Sequence, residues 1–201
     1  MDDLIKALDF ATGYNQVKRE LIMEILAISG SIRTASFNTA LLNCISGLSA
    51  EHINITLFDS IKRIPLFNPE YMVDNYPPAV KNLIDKIRYS DGVIISTPEY
   101  AHGTSGALKN VLDWLVASDA LVLKPVMVAS VSTSGLGGAR SYCSLVQVLT
   151  AMNCNVVIEA SLCVPFAAVK FDDASNLTDE LTVQRIELAL KAFEKMICAV
   201  N

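Results

Sequence analysis

Met23-Glu24-Ile25-Leu26-Ala27-Ile28-Ser29 runs directly into Gly30-Ser31-Ile32-Arg33-Thr34-Ala35-Ser36-Phe37-Asn38, and the fold turns on how this stretch is read. The first seven residues are mostly apolar, rich in β-branched side chains and closed by a glycine, the pattern of a buried strand. A helical pattern occupies 38–48, so the loop between is a strand-to-helix turn. It offers one glycine, three hydroxyls (Ser31, Thr34, Ser36), the Arg33 guanidinium and the Asn38 amide. Backbone N–H groups at a helix N-terminus point outward and the helix dipole favours negative charge there. A turn with an N-cap accounts for the Ser, Thr and Asn residues by themselves. It does not account for Arg33, because a cation at a helix N-terminus opposes the dipole unless an anion lies between them. The loop lacks both the Lys of G-x-x-x-x-G-K-[ST] and the three-glycine spacing of the dinucleotide fingerprint, so the expected guest is a monophosphate.

Four more short apolar runs follow, at 54–58, 92–97, 125–130 and 155–159, alternating with helical patterns at 77–89, 107–116 and 138–152. Three of the five runs are nearly continuous in apolar residues, as parallel strands covered on both faces require. Strands alternating with helices give an α/β fold with right-handed crossovers and a doubly wound parallel sheet, its ligands bound at the carboxyl ends of the strands. The stretch 178–200 reads as a closing amphipathic helix capped at Thr178. Residues 1–20 are an N-terminal extension in which 4–10 suit a short helix, packed on the body or on a second subunit, and 21–201 form one domain.

With 16 basic and 21 acidic residues the net charge is -5, and no Lys/Arg block is available to neutralise a nucleic acid. The most apolar stretch, 120–131, is interrupted by Lys124-Pro125, too short for a membrane span. Asp2 and Asp3 open the chain where a secretory signal would carry basic residues, so the expected setting is a soluble, cytoplasmic one. The five cysteines form no C-x-x-C pair and, with His52 and His102, no metal set. They read as reduced thiols.

The third strand leads into Thr97-Pro98-Glu99-Tyr100-Ala101-His102-Gly103, and the next helix carries Gly106-Ala107-Leu108-Lys109-Asn110-Val111-Leu112-Asp113-Trp114. Taken in order with the first loop, G-S-x-R-x-x-S-x-N, T-P-E-Y and G-x-L-K-N-x-L-D-W resemble the NADPH-dependent FMN reductase family, which includes flavin, quinone, azo-dye and chromate reductases. The resemblance runs from about residue 23 to about 159. It implies a flavodoxin-like three-layer sandwich with a five-stranded parallel sheet in the order 2-1-3-4-5. It also implies that Ser31, Arg33, Ser36, Phe37 and Asn38 hold the phosphate of FMN. Pro98, Glu99, Tyr100, Ala101, His102 and Gly103 would line the isoalloxazine ring, joined by Ser132, Gly135 and Gly137 from the glycine-rich loop after the fourth strand.

Many relatives carry Asn after the Tyr and Pro before the second Gly. This chain has Ala101 and Ser105, which suggests a looser loop. His102 is a candidate donor beside the flavin or substrate, set against the plainer reading of a solvated loop histidine. Lys109, Asn110, Asp113 and Trp114 read as an ordinary helix, with Trp114 in the core or at a subunit interface.

The activity implied is hydride transfer from NADPH or NADH to bound FMN and on to a quinone, flavin, azo or metal-oxyanion acceptor; the flavin carries the chemistry, no catalytic side chain is required, and His102 is the one candidate for such a role. By charge, Arg140 and Lys124 are candidates for attracting the nucleotide phosphates. A flavodoxin-like electron carrier or a non-enzymatic flavin-binding module is the alternative. The resemblance further implies a homodimer or homotetramer, for which the Trp114-Leu115-Val116 end is a candidate contact.

Overall fold

The computed structural model describes residues 22–58, 61–71 and 75–200. The elements are β1 (Met23–Ser29), α1 (Phe37–Gly47), β2 (Ile53–Phe58), α2 (Pro78–Tyr89), β3 (Gly92–Thr97), the short strands β4 (Glu99–Tyr100) and β5 (Gly103–Thr104), α3 (Gly106–Val116), β6 (Pro125–Val131), α4 (Ala139–Ala151), β7 (Asn155–Val156), β8 (Leu162–Val164), α5 (Ala167–Lys170) and α6 (Glu180–Val200). The expected extension at 1–20, with its helix at 4–10, lies outside the described residues.

The main sheet runs β2-β1-β3-β6-β7, with β8 also paired to β6, and every pairing in it is parallel. Its two faces feed separate cores, because successive side chains on a strand point to opposite sides. Ile25 and Ala27 of β1 pack with α1 and α6, while Leu26 and Ile28 pack with α2, α3 and α4. Ile94 on β3 and Met127 on β6 join the first core, and their neighbours Val93, Ile95, Val126 and Val128 join the second. This two-sided burial explains why the central strands read as unbroken apolar runs.

The sheet is flavodoxin-like, as expected, but its fifth position is filled by two strands rather than the single run 155–159. Val126 pairs with Val156 and Ala129 with Leu162, so the outer segment carries three extra residues. They form a 3-10 turn, Ile158–Ala160, which puts Glu159 in solvent while Ala160 stays buried against the core. The turn packs against α6, with Ala160 fully buried beneath it.

The cap of α6 also differs from the sequence reading. Asp179, not Thr178, accepts the N–H of Thr182 at 2.9 Å, and the same oxygen meets the Lys170 ammonium at 2.9 Å. Trp114 belongs to the core of this chain, 1% exposed, with its indole N–H donated to the Pro65 carbonyl at 2.9 Å. Leu115 is equally buried, so of the Trp114-Leu115-Val116 end only Val116 is open to a contact. No helix among the described residues is long and apolar enough to cross a membrane.

Candidate functional site

Three loops meet at the carboxyl ends of β1, β3 and β6. The first, after β1, is held from below. Gly30 donates its N–H to the Ser96 carbonyl at 2.7 Å and accepts the Ser105 hydroxyl at 2.6 Å on its own carbonyl. A Cβ at residue 30 would lie 2.8 Å from Leu108 and 3.1 Å from Pro98, so only glycine lets the loop sit this close to α3. Ser36 caps α1, accepting the N–H of Thr39 at 3.4 Å. Among the described residues its hydroxyl proton has no acceptor. Phe37 and Asn38 stand in the first turn, where N–H groups have no intrahelical acceptor.

The Asn38 side chain is committed elsewhere. It is buried, accepts the Ser96 hydroxyl at 2.8 Å and donates to the Val131 carbonyl at 3.4 Å. The amide thereby rivets α1 to β3 and β6, leaving the backbone of Asn38 as its contribution to the loop. Arg33 is exposed, and among the described residues no carboxylate pairs with its guanidinium.

The second loop is a two-residue hairpin, β4–β5, whose central residues Ala101 and His102 take φ values of 50° and 63°. Mirror-image hairpin turns require positive φ at both positions, a conformation that Gly and Asn adopt readily and Ala does not. The loop is nonetheless well tied, contrary to the looser one suggested by its departures from the family pattern. Ser105 caps α3 through the N–H of Leu108 at 3.2 Å while holding Gly30.

Glu99 reaches across to α4, whose N-cap residue Gly138 has no side chain to offer. One carboxylate oxygen accepts the N–H groups of Arg140 at 3.0 Å and Ser141 at 3.3 Å. The other faces His102 Nδ1 at 3.4 Å and the Arg140 guanidinium at 3.8 Å. Burial pushes the Glu99 carboxyl up, but the N–H of Ser141, the His102 ring, the N–H of Arg140 and the Arg140 charge outweigh it, and the net shift is downward. Glu99 is therefore an ionised clamp between the second and third loops. His102 has a side chain 70% exposed, close to the solvated reading.

The third loop, after β6, is bolted to the segment that follows β8. Ser132 donates its N–H to Val164, Phe166 to Ser134 and Ala167 to Ser132, at 3.0–3.2 Å. Gly137 sits at φ 60°, and a Cβ there would meet the Pro165 nitrogen at 2.8 Å.

A cavity of about 300 Å³ opens between the loops. Ser31, Arg33, Ser36, Phe37, Asn38, Pro98, Glu99, Tyr100 and Ser132 all line it, together with Val131 and Thr133. Of the remaining residues singled out from the sequence, Ala101, His102 and Gly103 form the hairpin tip, and Gly135 and Gly137 pack against the segment after β8. Arg140 stands at this end through Glu99 and His102. Lys124 does not. It precedes β6, at the opposite end of the sheet, and donates to the Ser90 carbonyl. Sequence reading missed Ser105 and the clamping role of Glu99, since both act on residues 40 or more positions away in the chain.

The cavity suits a phosphate-bearing planar guest on its own terms. One end combines a guanidinium, hydroxyls and first-turn N–H groups, an anion site by charge and dipole. The other is walled by Pro98, the half-exposed Tyr100 ring and hairpin backbone, surfaces on which a flat ring can lie.

Comparison with known proteins agrees. A family model described as NADPH-dependent FMN reductase matches residues 23–168. An NAD(P)H-dependent FMN reductase of Pseudomonas aeruginosa is 31% identical over 174 residues, covering 86% of this chain and 94% of that protein. An NADPH:quinone oxidoreductase of Arabidopsis thaliana is 34% identical over 182 residues, covering 86% and 92%. Among solved structures, FerB, a flavoenzyme NAD(P)H:(acceptor) oxidoreductase from Paracoccus denitrificans, superposes with a TM-score of 0.80 at 25% identity, covering 89% of this chain and 98% of that one.

Proposed function

Because the chain belongs to the NADPH-dependent FMN reductase family, it is an NAD(P)H-dependent flavin oxidoreductase, and we propose that the cavity between its three loops is where the cofactor is held. In this reading Arg33, the Ser31 and Ser36 hydroxyls and the N–H groups of Phe37 and Asn38 grip the FMN phosphate. Pro98, Tyr100 and the hairpin backbone carry the ring system, flanked by Ser132. When bound, FMN supplies the hydride chemistry between NAD(P)H and an acceptor.

The protein's own residues orient and enclose. Glu99 stays ionised and fixes the hairpin against α4, so the ring-bearing surface does not shift between the two substrates. Ser105 and Asn38 hold the phosphate loop at a set distance from that surface. The observation that carries the reading is that the Arg33 guanidinium, with no carboxylate partner among the described residues, lines the same cavity as the first turn of α1 and Tyr100.

Quinones and free flavins are the proposed acceptors, in line with what relatives of this length are named for. The electron-carrier alternative is not favoured by those relatives. A homodimer or homotetramer in the cytoplasm is proposed as the working form, with exposed Leu66 and Val116 near the Trp114 region as an apolar contact.

Titration of apoprotein with FMN, followed by flavin fluorescence, tests the site. Arg33→Ala is expected to weaken FMN binding about 10-fold or more, the worth of one charge-assisted contact. Unchanged affinity means that the loop is misassigned, and a wild-type protein without FMN affinity defeats the reading as a whole.

A further inference from the structure

One aromatic ring is held out in water beside the cavity at a conformational cost. Phe166 follows β8 by two residues, and β8 runs parallel to β6, so Phe166 stands at the end of the sheet where the three loops meet. Its backbone is left-handed, φ 56° and ψ 42°, a region that glycine enters freely and a bulky residue does not. Neither packing nor capping accounts for it. The ring belongs to neither core and is 54% exposed, and at the N-cap of α5 the side chain makes no hydrogen bond. The segment already has its aromatic anchor in Phe171, which is buried against Phe37 with ring centroids 5.5 Å apart.

The third loop holds Phe166 in place. The N–H groups of Phe166 and Ala167 reach the Ser134 and Ser132 carbonyls at 3.2 and 3.0 Å. The ring lies on Gly135, where a Cβ would stand 3.1 Å from its Cζ and 3.4 Å from its Cε1. Gly135, unlike Gly137 and Gly138, has no positive φ, so its backbone makes no demand for glycine; the ring does. Ser132 and Thr133, just before it, line the cavity assigned to the cofactor, and Leu136, just after it, is half-exposed.

We propose that Phe166 is a specificity-determining residue for the electron acceptor, its ring the apolar wall against which a flat, uncharged aromatic acceptor lies; this rests on the flavin-dependent reading above. Phe166 does not line the cofactor cavity but adjoins its third-loop side, which places it for the guest that exchanges rather than the one that stays. Backbone strain kept beside a ligand site is kept for what it presents, and here that is an aromatic face. A planar aromatic guest gains by shedding water against such a face. An anionic, non-planar acceptor does not, because it would give up hydration without a partner.

The test uses FMN-loaded wild type, Phe166→Ala and Phe166→Tyr. Oxidised enzyme is titrated with 1,4-naphthoquinone, which oxidised flavin cannot reduce, and binding is followed through the flavin absorption band. The Kd is expected to rise about 5- to 10-fold in Phe166→Ala and to stay within about 2-fold of wild type in Phe166→Tyr, which keeps the ring. In turnover, Phe166→Ala should raise the KM for 1,4-naphthoquinone by a similar factor, with its kcat, the KM for ferricyanide and the Kd for FMN within about 2-fold of wild type. Equal naphthoquinone affinities in wild type and Phe166→Ala overturn the proposal. So does an equal rise in the KM for both acceptors, an equal loss in Phe166→Tyr, or a fall in FMN affinity in Phe166→Ala, which would assign the ring to the cofactor. Wild type that takes up no FMN defeats the flavin reading and this proposal with it, whereas FMN uptake with unchanged naphthoquinone binding defeats this proposal alone.

Discussion

Replacing Ser105 by alanine removes one oxygen that does two jobs. The hydroxyl accepts the Leu108 N–H at 3.2 Å, capping α3, and donates to the Gly30 carbonyl at 2.6 Å, in a residue only 3% exposed. Loss of a helix cap costs about 1 kcal/mol. Leaving a buried carbonyl without its donor costs about 1–3 kcal/mol more. For a chain of this size each kcal/mol is worth roughly 2–4 °C, so Ser105→Ala should melt on the order of 10 °C below wild type. It should also bind FMN several-fold more weakly, because the loop after β1 loses its tie to α3 at Gly30. Ser105→Pro separates the hydroxyl from the backbone. Residue 105 has φ −59° and follows a strand residue, both compatible with proline, and its N–H reaches no acceptor among the described residues. Proline loses the same hydroxyl but restricts the unfolded chain, recovering about 0.4–1 kcal/mol. The expected order of melting temperatures by scanning calorimetry is wild type, Ser105→Pro, Ser105→Ala. A Ser105→Ala melt within a degree or two of wild type, or a proline variant below the alanine one, refutes the reasoning.

Two further outcomes follow from backbone and charge. Ala101→Asn places a residue that tolerates positive φ at a position with φ 50° and should stabilise the protein by about 0.5–1 kcal/mol, a rise of roughly 2–4 °C; an unchanged or lower melt would show that the turn stores no strain. The Asp179 carboxyl is held down to about 2, first by the Lys170 ammonium and then by Thr182. A carboxylate whose folded value is depressed stabilises the fold above its unfolded range and loses that contribution as pH falls through the folded value. Stability owed to Asp179 is thus present at neutral pH and lost between about pH 4 and 2. Melting curves of wild type and Asp179→Asn should converge across that window, and curves that stay parallel would rule out the linkage.

The parts of the site that the sequence displays are those whose chemistry is local. Ser31, Arg33, Ser36 and Asn38 lie within one strand-to-helix turn, and Pro98 to Tyr100 within the next, so spacing alone brings each group together. Their convergence on one cavity follows from parallel pairing of β1, β3 and β6, which the apolar runs specify. Hidden are the functions assigned by contacts far along the chain. Asn38 reads as a phosphate ligand, yet its side chain is spent on Ser96 and Val131, 58 and 93 residues away. The interruption of the fifth strand is equally non-local, since whether Ile158–Ala160 continues the sheet or turns out of it depends on α6 packing behind it.

Glu99 shows how a non-local contact becomes functional. Within its tetrapeptide it looks like one ring-lining residue among several. In the fold its carboxylate supplies the cap that Gly138 cannot, and glycine is needed there because residue 138 adopts φ 82° close against Ser130. The third loop thus gives up its own capping side chain, and the hairpin loop returns one. The two loops are coupled through a single ionised group. A perturbation of the Gly135–Gly138 segment should therefore be felt at Tyr100, and of the hairpin at α4, without any residue in direct contact with both substrates having changed.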